Sequence, residues 1–464
     1  MLKRAATALL GLTLGCAALA HGASELRGTL PRSSVYPFSL QSAGPAPPVR
    51  ARVVKLDPAS AAAARGLKEG DLLLSVNGRQ YSRVAEADRL LLRAPPGSEV
   101  VLQIERDGKP RTVRVTASPA PLQQLAGLDV VYDVLDMPDG ARLRTILTRP
   151  ENASGNLPTL YFVPWLSCDP IERPLNLEDE GWQRMLERVA GIPGVMLMRV
   201  EKSGVGDSEG PECWELEYDR ELTYHREALR RLRDIPGVDS SRIVIYGASM
   251  GGNMAAILAA ETKPAGLIIW GTAIKSWLEH LIEFNRRSLE LSGHSTDEVT
   301  PLVSAQTEAF IHYLVHQRSP AEIAAQYPDL AAALRRVRGL SDTQHYGRPL
   351  SYHRQAQRQN WLGAVDKVRS PTLVMYGEHD WFETLDDHLL IARTIDRNVP
   401  GGGTLVVVPR MNHHFSVFHS LQESHDLDGG IVASELVADE IAAWLRKTGI
   451  VESRAPKSDP TGTP

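Results

Sequence analysis

Cysteine is scarce in this chain: three in 464 residues, Cys16, Cys168 and Cys213, with no cluster among them. An H-E-x-x-H motif is missing too, and the adjacent His413 and His414 on a short turn would point apart, so no metal site is expected. There is no excess of positive charge. The 51 Lys and Arg against 56 Asp and Glu leave a net charge of −5, and basic residues are not interleaved with aromatic ones, which excludes a nucleic-acid footprint. Gly204-x-Gly206 opens like a dinucleotide fingerprint, but the third glycine position holds Glu209, so no cofactor follows. Apolar runs on the scale of a membrane are absent after the first twenty residues. What is present, 43% hydrophobic and 23% charged residues, is ordinary for a globular protein with room for two or three domains and a full core.

The one long apolar run has the build of a secretory signal. "MLKR" supplies positive charge, "AATALLGLTLGCAALA" the apolar centre, and Ala18-Leu19-Ala20 a small-x-small cleavage site, so residues 1–20 are expected to be removed and the protein exported, periplasmic or secreted. "LTLGC" offers a rival reading in which Cys16 carries a lipid anchor, but Thr13 stands where such boxes usually hold leucine, and soluble export ranks first. Cys168 and Cys213 then remain, in a compartment that permits disulfides.

After a Pro- and Gly-rich stretch comes "VRARVVKLDPASAAAARGLKEGDLLLSVNGRQY", then a helical "EADRLLLRA" and two alternating strands, "EVVLQIERDG" and "RTVRVTAS". In "RGLKEGDLLLSVNG", Gly66 and Gly70 turn the chain, Leu67 fills a core, and Val76-Asn77-Gly78 closes a hairpin. Residues 34–118 resemble a PDZ domain of the bacterial secreted type. The resemblance implies a peptide or protein partner held at a loop near "VYPFSL", where Pro37 removes one amide donor.

From about Gly127 strands and helices alternate, beginning with a hairpin, "DVVYDVLDMPDGARLRTILTRP", whose Pro138-Asp139-Gly140 is turn chemistry. The later runs "PTLYFVPW", "GVMLMRVEK", "RIVIYGAS", "AGLIIWGTA", "PTLVMYGEHD" and "GGTLVVVPRMNHH" are continuous apolar strands, as in a parallel sheet covered on both faces. This α/β unit spans residues 125–450. Between two of its strands lies a mostly helical insertion, about 274–370, expected to be a lid, and residues 451–464 read as a disordered tail.

Chemistry concentrates at "RIVIYGASMGG". A strand stops at Ser249 and a helix follows, and glycines at 247 and 251 leave room for the strained turn that exposes a serine hydroxyl. Such a hydroxyl needs a histidine to take its proton and a carboxylate to orient that histidine. Asp380 ends the strand "PTLVMYGEHD" and His413 follows "TLVVVPRMN", giving the order Ser, Asp, His. Glu378 competes with Asp380, and His414 with His413; the G-x-x-D spacing and the distance from the strand favour Asp380 and His413. Trp165, Trp381 and Phe415 flank these residues and read either as an acyl pocket or as core.

With Ser249, Asp380 and His413 matched, Met250 following the nucleophile, and "VEKSGVGDSEGP" after a strand, residues 127–447 resemble the α/β-hydrolase superfamily. The resemblance implies a mostly parallel sheet with helices on both faces, and an oxyanion hole from the amides of Met250 and of Leu166 or Trp165, with Leu166 preferred because Pro164 has no N–H. It also implies an exported serine hydrolase without cofactor that cleaves a carboxylic ester through an acyl-enzyme. The alternatives are a serine peptidase or amidase, or a non-catalytic binding protein bearing a PDZ module. Cys168 and Cys213 follow the third and fourth strands on the catalytic edge, and a disulfide between them is expected, against the alternative of two buried thiols.

Overall fold

The computed structural model describes residues 25–26, 28, 30–44, 50–172, 181–426 and 430–452. The signal segment 1–20 with Cys16, and residues 453–464 of the expected tail, lie outside the described residues.

Among the described residues nine strands form the main sheet, in the spatial order Glu25–Leu26, Leu128–Asp136, Arg142–Pro150, Met196–Val200, Leu157–Val163, Val238–Ala248, Gly266–Trp270, Thr372–Gly377 and Gly403–Val408. Leu128–Asp136 and Arg142–Pro150 make the antiparallel hairpin, Asp136 opposite Arg142, and Arg142–Pro150 also pairs antiparallel with Met196–Val200. From there to the far edge every pairing is parallel. The α/β-hydrolase architecture expected from the sequence is therefore present.

Alternation along the buried strands divides two cores. Leu160 and Phe162 face one way with Val244, Tyr246 and Trp270, covered by the helices Gly181–Ala190 and Ser434–Lys447. Tyr161 and Val163 face the other way with Ile243 and Ile245, covered by Tyr218–Leu232 and Met250–Thr262. Because both faces are covered, these strands read as unbroken apolar runs rather than alternating ones. Each fully buried large side chain contributes about 1.5–3 kcal/mol of transfer free energy.

Between Trp270 and Thr372 the chain forms the helical insertion. Three of its helices start at S-x-x-E capping boxes, Ser276 with Glu279, Ser295 with Glu298, and Ser319 with Glu322. Its last short helix, Trp361–Val365, packs on Met250–Thr262 and belongs to the cover of the sheet.

The N-terminal module has a five-stranded antiparallel sheet, in the order Ser39–Ser42, Ala51–Val54, Leu72–Val76, Glu99–Arg106, Lys109–Thr116, and a helix, Val84–Leu92. Tyr36, Phe38, Leu67, Leu73, Leu91 and Val100 are among its own core. Its two ends meet: Ser34–Val35 pairs antiparallel with Ser118–Pro119, and the Ala120 amide donates to the Ser33 carbonyl at 2.8 Å. The segment before it is built into the main sheet. Glu25–Leu26 pairs parallel with Leu128–Asp136, and Arg32 forms an ion pair at 2.6 Å with Asp207. Asp207 also pairs with the buried Arg144, whose Nη2 donates to the Leu30 carbonyl at 2.6 Å. Across the module boundary Arg89 pairs with Glu212 at 2.7 Å and Arg83 donates to Gln344.

Candidate active site

Ser249 sits between Val238–Ala248 and Met250–Thr262 with φ 56° and ψ −129°, a conformation costly for a non-glycine residue and held by its surroundings. Its amide donates to the Trp270 carbonyl at 2.8 Å, and its carbonyl accepts from Gly252 N at 2.8 Å and Thr272 Oγ1 at 3.0 Å. The glycines around it are demanded by contact. A Cβ on Gly251 would lie 2.1 Å from the Val163 carbonyl oxygen, one on Gly247 2.4 Å from the Gly251 oxygen, and one on Gly252 2.0 Å from Thr272 Oγ1. Close approach at Gly251 also sets the start of the elbow helix, where Met250 lies, against the loop that carries Leu166.

His413 follows Gly403–Val408 on a turn held by the Asn412 side chain, which accepts from the amides of His414 at 2.9 Å and Ser416 at 3.0 Å. The His413 Nδ1–H donates to Asp380 Oδ2 at 2.8 Å, and the Ser249 hydroxyl donates to His413 Nε2 at 3.1 Å. Asp380 Oδ1 accepts from the amides of Phe382 at 2.8 Å and Glu383 at 3.1 Å, so both its oxygens are engaged. Gly271, at φ +50°, keeps space open beside the pair: a Cβ there would be 3.0 Å from His413 Nδ1. The three residues read from sequence thus come together in one hydrogen-bonded chain.

Burial penalises charge on both members of the His413–Asp380 pair, but their attraction and hydrogen bond outweigh it. Asp380 is held below the usual carboxylate range and His413 above its ordinary value of 6.5. His414 is exposed as a whole residue, while its ring meets Trp182 and Phe382 edge-on at 5.9 and 5.2 Å. Desolvation, and then the neighbouring His413, lower it to about 4. Glu378 does not point along the Asp380 face; it is exposed and accepts from the Arg410 amide at 2.7 Å.

Two aromatic residues that the sequence does not single out contact the histidine. Phe382 stacks on His413 with centroids 4.8 Å apart, and Trp182 meets it edge-on at 5.5 Å. Gly181 brings Trp182 in, since a Cβ there would lie 1.8 Å from the His414 carbonyl oxygen. Trp165 and Phe415 are core: Trp165 packs on Trp182 at 4.7 Å, and Phe415 stacks on Trp270 at 4.6 Å. Trp381 packs on Phe284 at 5.3 Å. Among the described residues no group of three or more His, Cys, Asp or Glu is arranged to hold a metal ion.

Cys168 and Cys213 form a disulfide with Cα atoms 5.8 Å apart. The strands they follow are neighbours, Thr159 pairing with Met196, so both loops leave the sheet side by side. Lys202 lies beneath the first of these loops. Its buried Nζ donates to the Trp165 carbonyl and, at 2.9 Å, to the Ser167 carbonyl.

Two family models match the chain: a PDZ domain over residues 30–117, and X-Pro dipeptidyl-peptidase (S15 family) over residues 139–404, more than half of the 464 residues. The chain belongs to the S15 family. Among curated proteins it is 39% identical over 77 residues to a probable periplasmic serine endoprotease DegP-like of Halomonas elongata, covering 17% of this chain and 16% of that protein. It is also 39% identical over 83 residues to the zinc metalloprotease RasP of Geobacillus kaustophilus, covering 18% and 20%. The chain therefore spans a fifth or less of the length of these relatives. Solved structures similar to the S15 protein include Est1E from Butyrivibrio proteoclasticus with ferulic acid bound, at TM-score 0.44, 19% identity, and 68% and 98% coverage of the two chains. Another is the α/β-hydrolase GrgF from a Penicillium species, at TM-score 0.42, 16% identity, and 69% and 98% coverage. Among the described residues no helix is long and apolar enough to cross a membrane.

Proposed function

We propose that this S15-family protein is an exported serine hydrolase that cleaves a carboxylic ester through an acyl-enzyme on Ser249. The observation that carries the reading is the hydrogen-bonded chain from Ser249 Oγ through His413 to Asp380, at 3.1 and 2.8 Å, with the serine held in an elbow at φ 56°. Ser249 Oγ attacks the substrate carbonyl as its proton passes to His413 Nε2, and Asp380 stabilises the imidazolium. The carbonyl oxygen becomes an oxyanion held by the amides of Met250 and Leu166. When the C–O bond to the leaving group breaks, the alkoxide takes the proton from Nε2. Water then attacks the acyl carbon, giving its proton to His413 and releasing the acid, and the proton returns to Ser249 Oγ. Export is supported by the N-terminal signal pattern and by the Cys168–Cys213 bridge, which needs an oxidising compartment.

Ester ranks ahead of amide because a helical insertion between the strands Gly266–Trp270 and Thr372–Gly377 suits a small or acyl-chain substrate. The match to the X-Pro dipeptidyl-peptidase family favours a second reading, release of an X-Pro dipeptide by cleavage of the amide bond after proline through the same chain of groups. The N-terminal module, similar to PDZ domains, would recruit a peptide or protein partner.

Turnover of p-nitrophenyl esters and of X-Pro p-nitroanilides by the wild type and by Ser249→Ala tests both readings. Ester turnover is expected to exceed anilide turnover and to fall about a thousandfold or more in Ser249→Ala. Faster anilide turnover would transfer the assignment to the peptidase. No Ser249-dependent turnover of either by a folded chain would leave a binding protein.

A further inference from the structure

The loop that carries Leu166 has two anchors. One is the disulfide at Cys168. The other is the ammonium of Lys202, two residues beyond the strand Met196–Val200, whose side chain is 2% exposed. Removing an ammonium from water is costly unless its donors are met. Lys202 meets them with the carbonyls of Trp165 and Ser167 and with Glu221 Oε1 at 3.5 Å. Glu221 is also paired with Arg348, which comes from the helical insertion, is fully buried, and donates to the Cys213 carbonyl at 3.1 Å. One carboxylate thus balances two cations directly under the disulfide-linked loops.

Peptide geometry turns this anchoring into an orientation. In a planar trans peptide the carbonyl and the following N–H point in opposite directions. The Trp165 carbonyl aims at Lys202, so the Leu166 N–H, on the same peptide unit, aims away from it. That loop abuts the elbow helix, since Gly251 has no room for a Cβ beside the carbonyls of Val163 and Pro164. Met250 opens the same helix. We infer that Lys202 is a positioning residue, which by gripping the carbonyls on either side of Leu166 presents the Leu166 amide as an oxyanion donor. The inference rests on the reading of Ser249 as the nucleophile. Packing alone would ask only for the alkyl stem, which a methionine supplies; gripping two carbonyls requires the donors.

The test compares the wild type with Lys202→Met on an ester substrate, and measures binding of a boronic acid, whose tetrahedral adduct on serine places an oxygen where the oxyanion would form. Wild-type labelling by a fluorophosphonate, mapped to Ser249, is the control. With Ser249 labelled and the variant folded by circular dichroism, kcat is expected to fall about 100-fold, KM to stay within about threefold, and boronate affinity to fall alongside kcat. Should Lys202→Met fail to fold, Lys202→Leu, which also fills apolar space without an N–H donor, is read by the same split. A folded variant with kcat and boronate affinity near wild type overturns the positioning role and leaves Ser249 as nucleophile. Equal losses in substrate and boronate binding with kcat unchanged also overturn it. Absence of label on wild-type Ser249 overturns the nucleophile reading, and this inference with it.

Discussion

At the scale of the residue, the site depends on one histidine being a better base than its neighbour. His413 titrates above 6.5 in the folded chain, because the attraction of Asp380 outweighs burial, whereas His414 titrates at about 4 and carries no charge near neutrality. A general base must be neutral to accept the serine proton. The expected kcat/KM therefore rises with pH through a midpoint above 6.5, and His414→Ala leaves that midpoint in place with less than about a tenfold loss of turnover. A midpoint near 4, or a dead His414→Ala beside an active His413→Ala, would move the base to His414. Ser249, Asp380 and His413 were legible in the sequence because each sits in a tight turn whose spacing is local: G-x-S-x-G, G-x-x-D, and a histidine just past a strand. Phe382, Trp182 and Lys202 were not, because each acts through partners far away in the chain. Trp182 reaches His413 by the fit of Gly181 against the His414 carbonyl, and Lys202 reaches the Trp165 carbonyl across two adjacent strands. No run of neighbouring residues encodes such contacts.

At the scale of the element, the buried parallel strands and the hairpin were plain as apolar runs and turn residues. Their spatial order was not: Leu157–Val163 and Met196–Val200 lie side by side through pairing that leaves no mark in either sequence. The edge strand Glu25–Leu26 escaped for a related reason, two residues being too few to show a period. That segment has consequences for stability. The carbonyl of Leu30 and the guanidinium of Arg32 complete the buried Arg144–Asp207 pair, whose side chains are each 2% exposed. Excising residues 34–119 and joining Ser33 to Ala120, which already share a hydrogen bond, is expected to leave a cooperative unfolding transition within a few degrees of the S15 domain in the full chain. Removing residues 21–120 deletes the edge strand and leaves Arg144 short of an acceptor, a loss of about 1–3 kcal/mol for each charged hydrogen bond. Its Tm is expected to be several degrees lower by calorimetry. Equal melting of the two truncations would mean that residues 25–33 do not contribute to the catalytic fold.

At the scale of the whole molecule, the two modules share a boundary made of charges rather than a merged core. The helix Val84–Leu92 and the residue preceding it supply Arg83 and Arg89, which meet Gln344 in the helical insertion and Glu212 beside the disulfide. The module's apolar cluster is separate from the two cores of the main sheet, and the hydrogen-bonded chain of Ser249, His413 and Asp380 lies wholly beyond residue 160. The proposed hydrolysis therefore stands or falls on Ser249. Its most direct test is to treat the full-length, disulfide-intact protein with a fluorophosphonate and map the adduct by peptide mass spectrometry. One adduct is expected, on the peptide containing Ser249, formed with loss of all ester turnover and absent in Ser249→Ala. An adduct on another serine, or turnover that survives complete modification of Ser249, would contradict it.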